Sequence, residues 1–338
     1  MRDPARESTC DLLTVEGLTV TFPSKRGPVA AVEDVSFSVG AGQTVGLVGE
    51  SGSGKTVSAL AVLGLTHAQG GEATGKVIFE GRDLTGLSEG QLAKVRGLRI
   101  GMIFQQPVRS LDPAFSVGEQ IAETIRRHLK MSRRAAWRRA VDMLDRVGIA
   151  NAAQRAHEYP HTFSGGMCQR VMIAMALSCS PSLLIADEPT TALDVTVQAR
   201  ILELLRDIQA ETGIAILFIS HDLGVIAEMC QSVVVMYAGE VVERASVEDL
   251  FVRPRHPYTG GLLAAVPKVG MRRELVAIPG NVPAPGHYPA GCRFHPRCPH
   301  AEAGRCDTAE PTLRIDTAGR SVRCVRADEL ALDGVLVR

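Results

Sequence analysis

Aromatic residues are scarce in this sequence. Phe, Tyr and Trp together make up 4% of its 338 residues, and there is one Trp. That leaves little for the stacking platforms that hold single-stranded nucleic acid. Excess charge is absent as well, because 37 Lys and Arg balance 37 Asp and Glu. A nucleic-acid footprint needs a basic surplus, so no nucleic-acid partner is expected. No apolar run approaches the roughly 18 residues of a membrane-spanning helix. The longest candidates, such as residues 214–219, have the length of buried strands. The charged opening MRDPARESTC is followed by no apolar core, so no signal peptide is expected. A soluble chain in a reducing compartment follows, with any membrane role exercised through a partner. The eight cysteines then do not form a disulfide framework. There is no internal repeat and no low-complexity tract.

What is present is a hydrophobic fraction of 45%, enough for one large core plus an appendage. Around Val35, Phe37 and Val39, apolar and polar residues alternate, the pattern of a half-buried antiparallel strand. Residues 45–48 then read as a short apolar strand, followed by a Gly/Ser loop and a helix from Thr56. Further strands are expected at 77–79, 100–104, 183–186, 214–219 and 233–236. Val117, Ile121, Ile125 and Leu129 recur every fourth residue, and Val141, Leu144 and Val147 mark a second helix. A third helix covers 195–211. Apolar strands alternating with helices imply a buried parallel sheet. The expected fold class is therefore α/β: a parallel-sheet core, an antiparallel β subdomain, an inserted helical subdomain at about 107–165, and a small irregular C-terminal domain. The expected boundaries are 11–248 for the first domain and 249–338 for the second, whose stretch 278–299 is rich in Pro and Gly.

Gly49, Glu50, Ser51, Gly52, Ser53, Gly54, Lys55 and Thr56 fit G-x-x-x-x-G-K-[ST] between a strand and a helix. The glycines let successive N–H groups face phosphate oxygens, and the helix N-terminus adds partial positive charge. Lys55 reaches the β- and γ-phosphates, and the Thr56 hydroxyl can ligate Mg²⁺. Asp187 and Glu188 end an apolar strand, where open parallel sheets bind ligands. Asp187 suits a Mg²⁺ ligand and Glu188 a group that polarises the attacking water. Paired capping or salt-bridged carboxylates are the alternative. His221 follows the next apolar strand and can hydrogen-bond a γ-phosphate, although strand-end histidines are commonly structural. Ser164, Gly165 and Gly166 open another helix, either as an anion-binding terminus or as an ordinary cap on Ser164.

The succession of P-loop, Gln105, Ser164-Gly165-Gly166 with Gln169-Arg170, Asp187-Glu188 and His221 resembles the ABC ATPases, a class of P-loop NTPase, over residues 11 to about 245. The resemblance implies ATP hydrolysis with Mg²⁺. It implies two ATP molecules sandwiched in a head-to-tail dimer, with Ser164, Gly165 and Gly166 touching the nucleotide held by the partner's P-loop. Gln105 is implied to contact Mg²⁺ and sense the membrane partner, Leu193-Asp194 to link the two sites, and Phe22 to stack on adenine. Phe163 stands where Leu is commonest and Cys168 where a basic residue is usual; activity is expected to survive, with some change at the dimer contact. The implied partners are a second, related ATPase subunit, two transmembrane permeases and, through them, an extracytoplasmic solute-binding protein. The implied place is the cytoplasmic face of the cell membrane, as a peripheral subunit.

Four cysteines fall late: Cys292, Cys298, Cys306 and Cys324. Their spacing matches no standard zinc or ferredoxin pattern, but four thiols in a core-poor segment suggest a soft-metal staple, with free cysteines as the alternative. Arg255-His256-Pro257-Tyr258-Thr259 and the run Gly291 to Pro299 resemble the C-terminal extension of oligopeptide and dipeptide importer ATPases. Members with these cysteines are implied to hold a [4Fe-4S] cluster. Zinc, with His295 or His300 as substitute ligands, is the rival. Peptide import is the function implied, with nickel or another small solute as the alternative cargo. A soluble ABC ATPase acting on ribosomes or DNA usually has two cassettes or a coiled-coil insertion, and this chain has one P-loop and no sustained heptads. A redox protein using ATP for regulation is a third reading. The basic cluster Arg126, Arg127, Lys130, Arg133, Arg134, Arg138 and Arg139 reads first as a solvated helical face and second as a lipid-headgroup contact.

Overall fold

The computed structural model describes residues 11–25, 27–191, 193–266, 277–317 and 319–335. Cys10 lies outside them. The chain forms two compact units: one mainly of residues 86–217, the other of 13–39, 44–85 and 218 onward.

In the second unit an antiparallel sheet has the order Val29–Gly40, Asp11–Phe22, Glu72–Phe79, Arg82–Asp83. Leu13 and Val15 are buried, then Leu18 and Val20. The phase changes because the register with Glu72–Phe79 shifts between Glu16 and Thr19. Gly17 adopts φ 56 at this bulge, and a Cβ on the facing Gly75 would lie 2.5 Å from the Gly17 carbonyl oxygen. The same unit holds Thr44–Val48 paired in parallel with Ser232–Tyr237, Val45 opposite Ser232 and Val48 opposite Val235. All five residues of Thr44–Val48 are buried, as the unbroken apolar run requires. Glu240–Ser246 returns antiparallel beside Ser232–Tyr237.

Beyond residue 249 most of the chain is irregular, as its composition predicts. It is nevertheless stitched into the sheet. Ser321–Val322 pairs with Glu243 and Arg244, and Arg314–Ile315 pairs with Ser321–Val322. These strands cover part of an edge that would otherwise be open. Arg293, 5% exposed, donates to the Ala238 carbonyl at 2.7 Å and pairs with Glu33 and Glu240. Buried Glu243 accepts the backbone amides of Arg255 and His256 at 2.8 and 2.9 Å.

In the first unit Ile100–Ile103 runs parallel to Leu183–Asp187, Ile100 opposite Leu183 and Ile103 opposite Ala186. Helices Val117–Leu129, Arg133–Arg146 and Gly165–Leu177 pack on one another. Each starts at a serine, Ser116, Ser132 or Ser164, whose hydroxyl accepts a first-turn amide. Val117, Ile121 and Ile125 form the buried stripe the fourfold spacing predicts. Val195–Thr212 is capped by Asp194 and closed by Gly213 at φ 67. Among the described residues no helix is long and apolar enough to cross a membrane.

Candidate functional site

The glycine-rich loop leaves the buried strand Thr44–Val48 and enters the helix Lys55–Val62. Its first glycine is obligatory on steric grounds. Gly49 has φ 155, and a Cβ there would sit 2.2 Å from the Met236 carbonyl oxygen and 2.7 Å from Ser53 Oγ. Gly52 and Gly54 have φ 82 and 101, in the left-handed region that favours glycine. Gly54 is the helix N-cap and brings no side-chain acceptor, so a bound anion can take that place at the helix start. Ser51, Gly52 and Thr56 are exposed, while Ser53 and Lys55 are buried. Lys55 Nζ donates to the carbonyls of Gly49 at 2.7 Å and Glu50 at 2.9 Å. The ammonium is thus held over the loop its sequence position predicts it to serve.

Glu50 itself is held from the C-terminal extension. Its N–H donates to Tyr258 Oη at 2.8 Å, and its carboxylate accepts both Nη atoms of Arg297, at 3.1 and 3.0 Å. Neither partner was singled out for a role by the sequence.

In the first unit Asp187 closes its strand at 2% exposure, and Glu188 follows at φ 47. That left-handed conformation is uncommon for a glutamate and turns the chain sharply as it leaves the sheet. Gln105 Nε2 donates to Glu188 Oε2 at 2.9 Å, and Thr191 Oγ1 donates to the same oxygen at 2.8 Å. The structure therefore joins two sequence-predicted residues, Gln105 and Glu188, and adds Thr191. A threonine three residues past an acidic pair carries no signal of its own.

Ser164 caps the helix Gly165–Leu177, its hydroxyl accepting Met167 N–H at 3.4 Å. Ser164 and Gly165 are exposed, so the helix start faces outward. Cys168 does not: it is fully buried, and its Sγ lies 3.6 Å from the Pro160 carbonyl oxygen. Burial raises its pKa. The thiol therefore faces the interior of its own unit. In the basic cluster, Arg139 donates to Ser178 O at 2.8 Å and Ser180 Oγ at 3.1 Å, and Arg133 pairs with Glu119 at 3.4 Å. Those two charges serve the helices.

In the second unit His221 is exposed directly after the strand Ala215–Ser220. Asp222 beside it caps the next helix through Gly224 and Val225. Phe22 is half-buried at its strand end, and a Cβ on Gly71 would meet its ring at 2.7 Å. One part of the ring is therefore already packed on backbone.

Cys292, Cys298, Cys306 and Cys324 line one pocket together with His256, Phe294, His295 and His300. Burial, reinforced by the neighbouring thiols, pushes Cys292 up to about 12 and Cys298 up to about 11. Among the described residues no three His, Cys, Asp or Glu side chains are set to hold a single metal ion. The four thiols share the pocket lining, and their soft sulfur donors are of the kind that suits a soft metal.

The chain is similar to known proteins along most of its length. The family described as ABC transporter matches residues 32–191, and the oligopeptide/dipeptide transporter C-terminal region matches residues 242–306. The chain is 50% identical over 320 residues to the oligopeptide transport ATP-binding protein AppD of Bacillus subtilis, covering 94% of this chain and 97% of the relative. It is 47% identical over 333 residues to a putative peptide import ATP-binding protein of Brucella abortus, covering 95% and 98%. Among solved structures, a dimeric ATP-binding cassette in a post-hydrolysis state with ADP and phosphate aligns with TM-score 0.63 and 27% identity. That match covers 70% of this chain and 98% of the other.

Proposed function

Because the chain belongs to the ABC transporter ATPases, in the branch that carries the oligopeptide/dipeptide C-terminal region, we propose that it hydrolyses ATP to drive peptide import through transmembrane permeases. The observation that carries this reading is one chain uniting a steric-fit P-loop with that C-terminal region. In this reading the amides of residues 49–56 and Lys55 bind the triphosphate. Thr56 in one unit, and Gln105 and Asp187 in the other, would offer hard oxygen ligands of the kind that suits Mg²⁺, which would offset phosphate charge. Glu188 accepts a proton from the attacking water, and the hydrogen bonds from Gln105 and Thr191 orient its carboxylate. His221 holds the γ-phosphate. Phe22 lies under adenine.

The exposed start of the helix at Ser164, Gly165 and Gly166 supports a role in trans, completing the site of a second ATPase subunit. ATP closes such a dimer because donors from both subunits reach its γ-phosphate, and hydrolysis removes those contacts. The partner is a related but distinct subunit. Phe104, Val108 and Phe115 are 37, 56 and 51% exposed around the Gln105 segment. Such an apolar surface supports docking of a permease there. It follows that the subunit works as a peripheral protein at the cytoplasmic face of the membrane, with cargo delivered to the permeases by an external solute-binding protein. Cys292, Cys298, Cys306 and Cys324 would hold a [4Fe-4S] cluster, with a structural role in the extension.

The test is transport in vesicles containing this chain, its companion ATPase and both permeases, with the solute-binding protein outside. Peptide-stimulated ATP hydrolysis and peptide accumulation are expected. Stimulation by nickel alone, with none by peptides, would refute the peptide reading while keeping the ATPase.

A further inference from the structure

Glu50 is the second residue of the P-loop, and every one of its polar groups is occupied. Its N–H is taken by Tyr258 Oη at 2.8 Å, its carbonyl by Lys55 Nζ at 2.9 Å, and its carboxylate by the fork of Arg297 at 3.1 and 3.0 Å. Glu50 and Arg297 stand 247 positions apart.

Arg297 is built to hold one orientation. Its side chain is 7% exposed. Nε donates to the Pro279 carbonyl at 2.7 Å, Nη2 to the Gly280 carbonyl at 3.2 Å, and Nη1 to Tyr237 Oη at 3.3 Å. The guanidinium also lies 5.6 Å from the Tyr237 ring centre. Tyr237, Tyr258 and Phe294 are fully buried and touch edge to face or tilted, with centroids 4.7 to 5.3 Å apart. Tyr258 and Arg297 are therefore both packed on one buried aromatic cluster.

A carboxylate beside the first glycine of a phosphate loop is a liability, because it repels the triphosphate the loop must hold. Arg297 neutralises that charge and fixes its direction. The Tyr258 hydroxyl fixes the peptide between Gly49 and Glu50, the one that sets where the loop turns. A loop fixed before ligand arrives loses less conformational freedom on binding.

We propose that Arg297 and Tyr258 are positioning residues for ATP binding: the C-terminal extension clamps Glu50 and so shapes the P-loop for the triphosphate. This rests on the P-loop reading above. It gives the extension a part in the nucleotide cycle that is separate from its cysteines.

The test uses the full chain assembled with its companion ATPase and permeases, with Mg-ATP as the probe. Wild type, Arg297→Ala, Arg297→Lys, Glu50→Gln and the Glu50→Gln/Arg297→Ala double variant are compared for Kd, KM, kcat and thermal midpoint. Loss of a charge-assisted fork predicts about tenfold weaker Mg-ATP binding and a matching rise in KM for Arg297→Ala, with kcat at saturation within about twofold. Arg297→Lys, which keeps the charge and most of the volume, should lose about threefold, and it carries the test if Arg297→Ala does not fold. Glu50→Gln should lose about threefold. The double variant should lose about threefold, less than Arg297→Ala alone and far from the roughly thirtyfold of independent effects, because Glu50→Gln removes the charge that Arg297→Ala leaves unpaired. A lowered thermal midpoint with unchanged Kd, or fully multiplicative losses in the double variant, would overturn the clamp. Failure of the wild type to bind Mg-ATP would instead overturn the P-loop reading itself.

Discussion

The side-chain amide of Gln105 donates to Glu188 Oε2 across 2.9 Å. Thr191 donates to the same oxygen, so a carboxylate on a left-handed residue is aimed by two neighbours. Replacing Gln105 by Ala removes one of them without touching the P-loop. The expected outcome is about tenfold lower kcat, exceeding a loss of about threefold in Mg-ATP affinity that follows from removing one Mg²⁺ ligand. Steady-state hydrolysis and equilibrium binding on the same preparation check the split. Equal losses in both would place Gln105 in nucleotide binding instead.

Gly49→Ala tests the steric argument. Its Cβ would meet the Met236 carbonyl oxygen at 2.2 Å, and backbone cannot yield as a flexible side chain does. The loop must shift or the strand pair must part, at a cost of roughly 2 kcal/mol or more. Chemical denaturation should show that loss, and Mg-ATP binding should fall at least tenfold. Gly81→Ala, where φ is 74 but nothing lies within 4 Å, should cost only about 1 kcal/mol and leave binding intact.

Arg293 anchors the extension against two carboxylates, Glu33 and Glu240, the latter 8% exposed. Burial raises the Glu240 pKa, and Arg293 and Arg323 oppose that rise. Arg293→Ala leaves Glu240 with one cation fewer in a buried site. A loss of about 3 kcal/mol of stability is expected, by the cost of breaking a buried pair from one side. Adding Glu240→Gln should recover part of it. Denaturant midpoints of the single and double variants decide the matter; no recovery would assign the loss to packing.

Cys230 makes stability depend on alkaline pH. Burial among apolar neighbours pushes its thiol up to about 12, above its unfolded value near 9. Below pH 9 both states keep the proton and the contribution is complete. Above it the unfolded chain releases a proton that the folded chain retains, so stability falls as pH rises from about 9 towards 12. The advantage of wild type over Cys230→Ala should accordingly shrink across that window in denaturation curves. A constant difference would mean the thiol titrates alike in both states.

Much of the site was legible because its signals are local. The G-x-x-x-x-G-K-[ST] loop, the apolar strand ending in Asp187-Glu188 and the serine-capped helix at Ser164 are each readable within a few residues. Their order along the chain carried the family resemblance. The fourfold spacing of Val117, Ile121 and Ile125 likewise settled a helix and its buried face. Contacts that join distant segments were not legible. Arg297 on Glu50 and Arg293 on Glu33 are single charges far apart in sequence, and a lone Arg has no period to betray its partner. The bulge at Gly17 was hidden for another reason: a one-residue change of phase looks like a polar interruption until the facing strand is known. The burial of Cys168 was not legible from its place in the motif, although its helix position groups it with buried Val171 and Met172.

The most direct test of the account is hydrolysis by Glu188→Gln in the assembled transporter. General-base catalysis contributes about a hundredfold or more. Mg-dependent ATP hydrolysis should therefore fall by at least that factor, while Mg-ATP binding stays within about twofold of wild type. A variant that keeps more than about a tenth of wild-type turnover would contradict Glu188 as the residue that activates water.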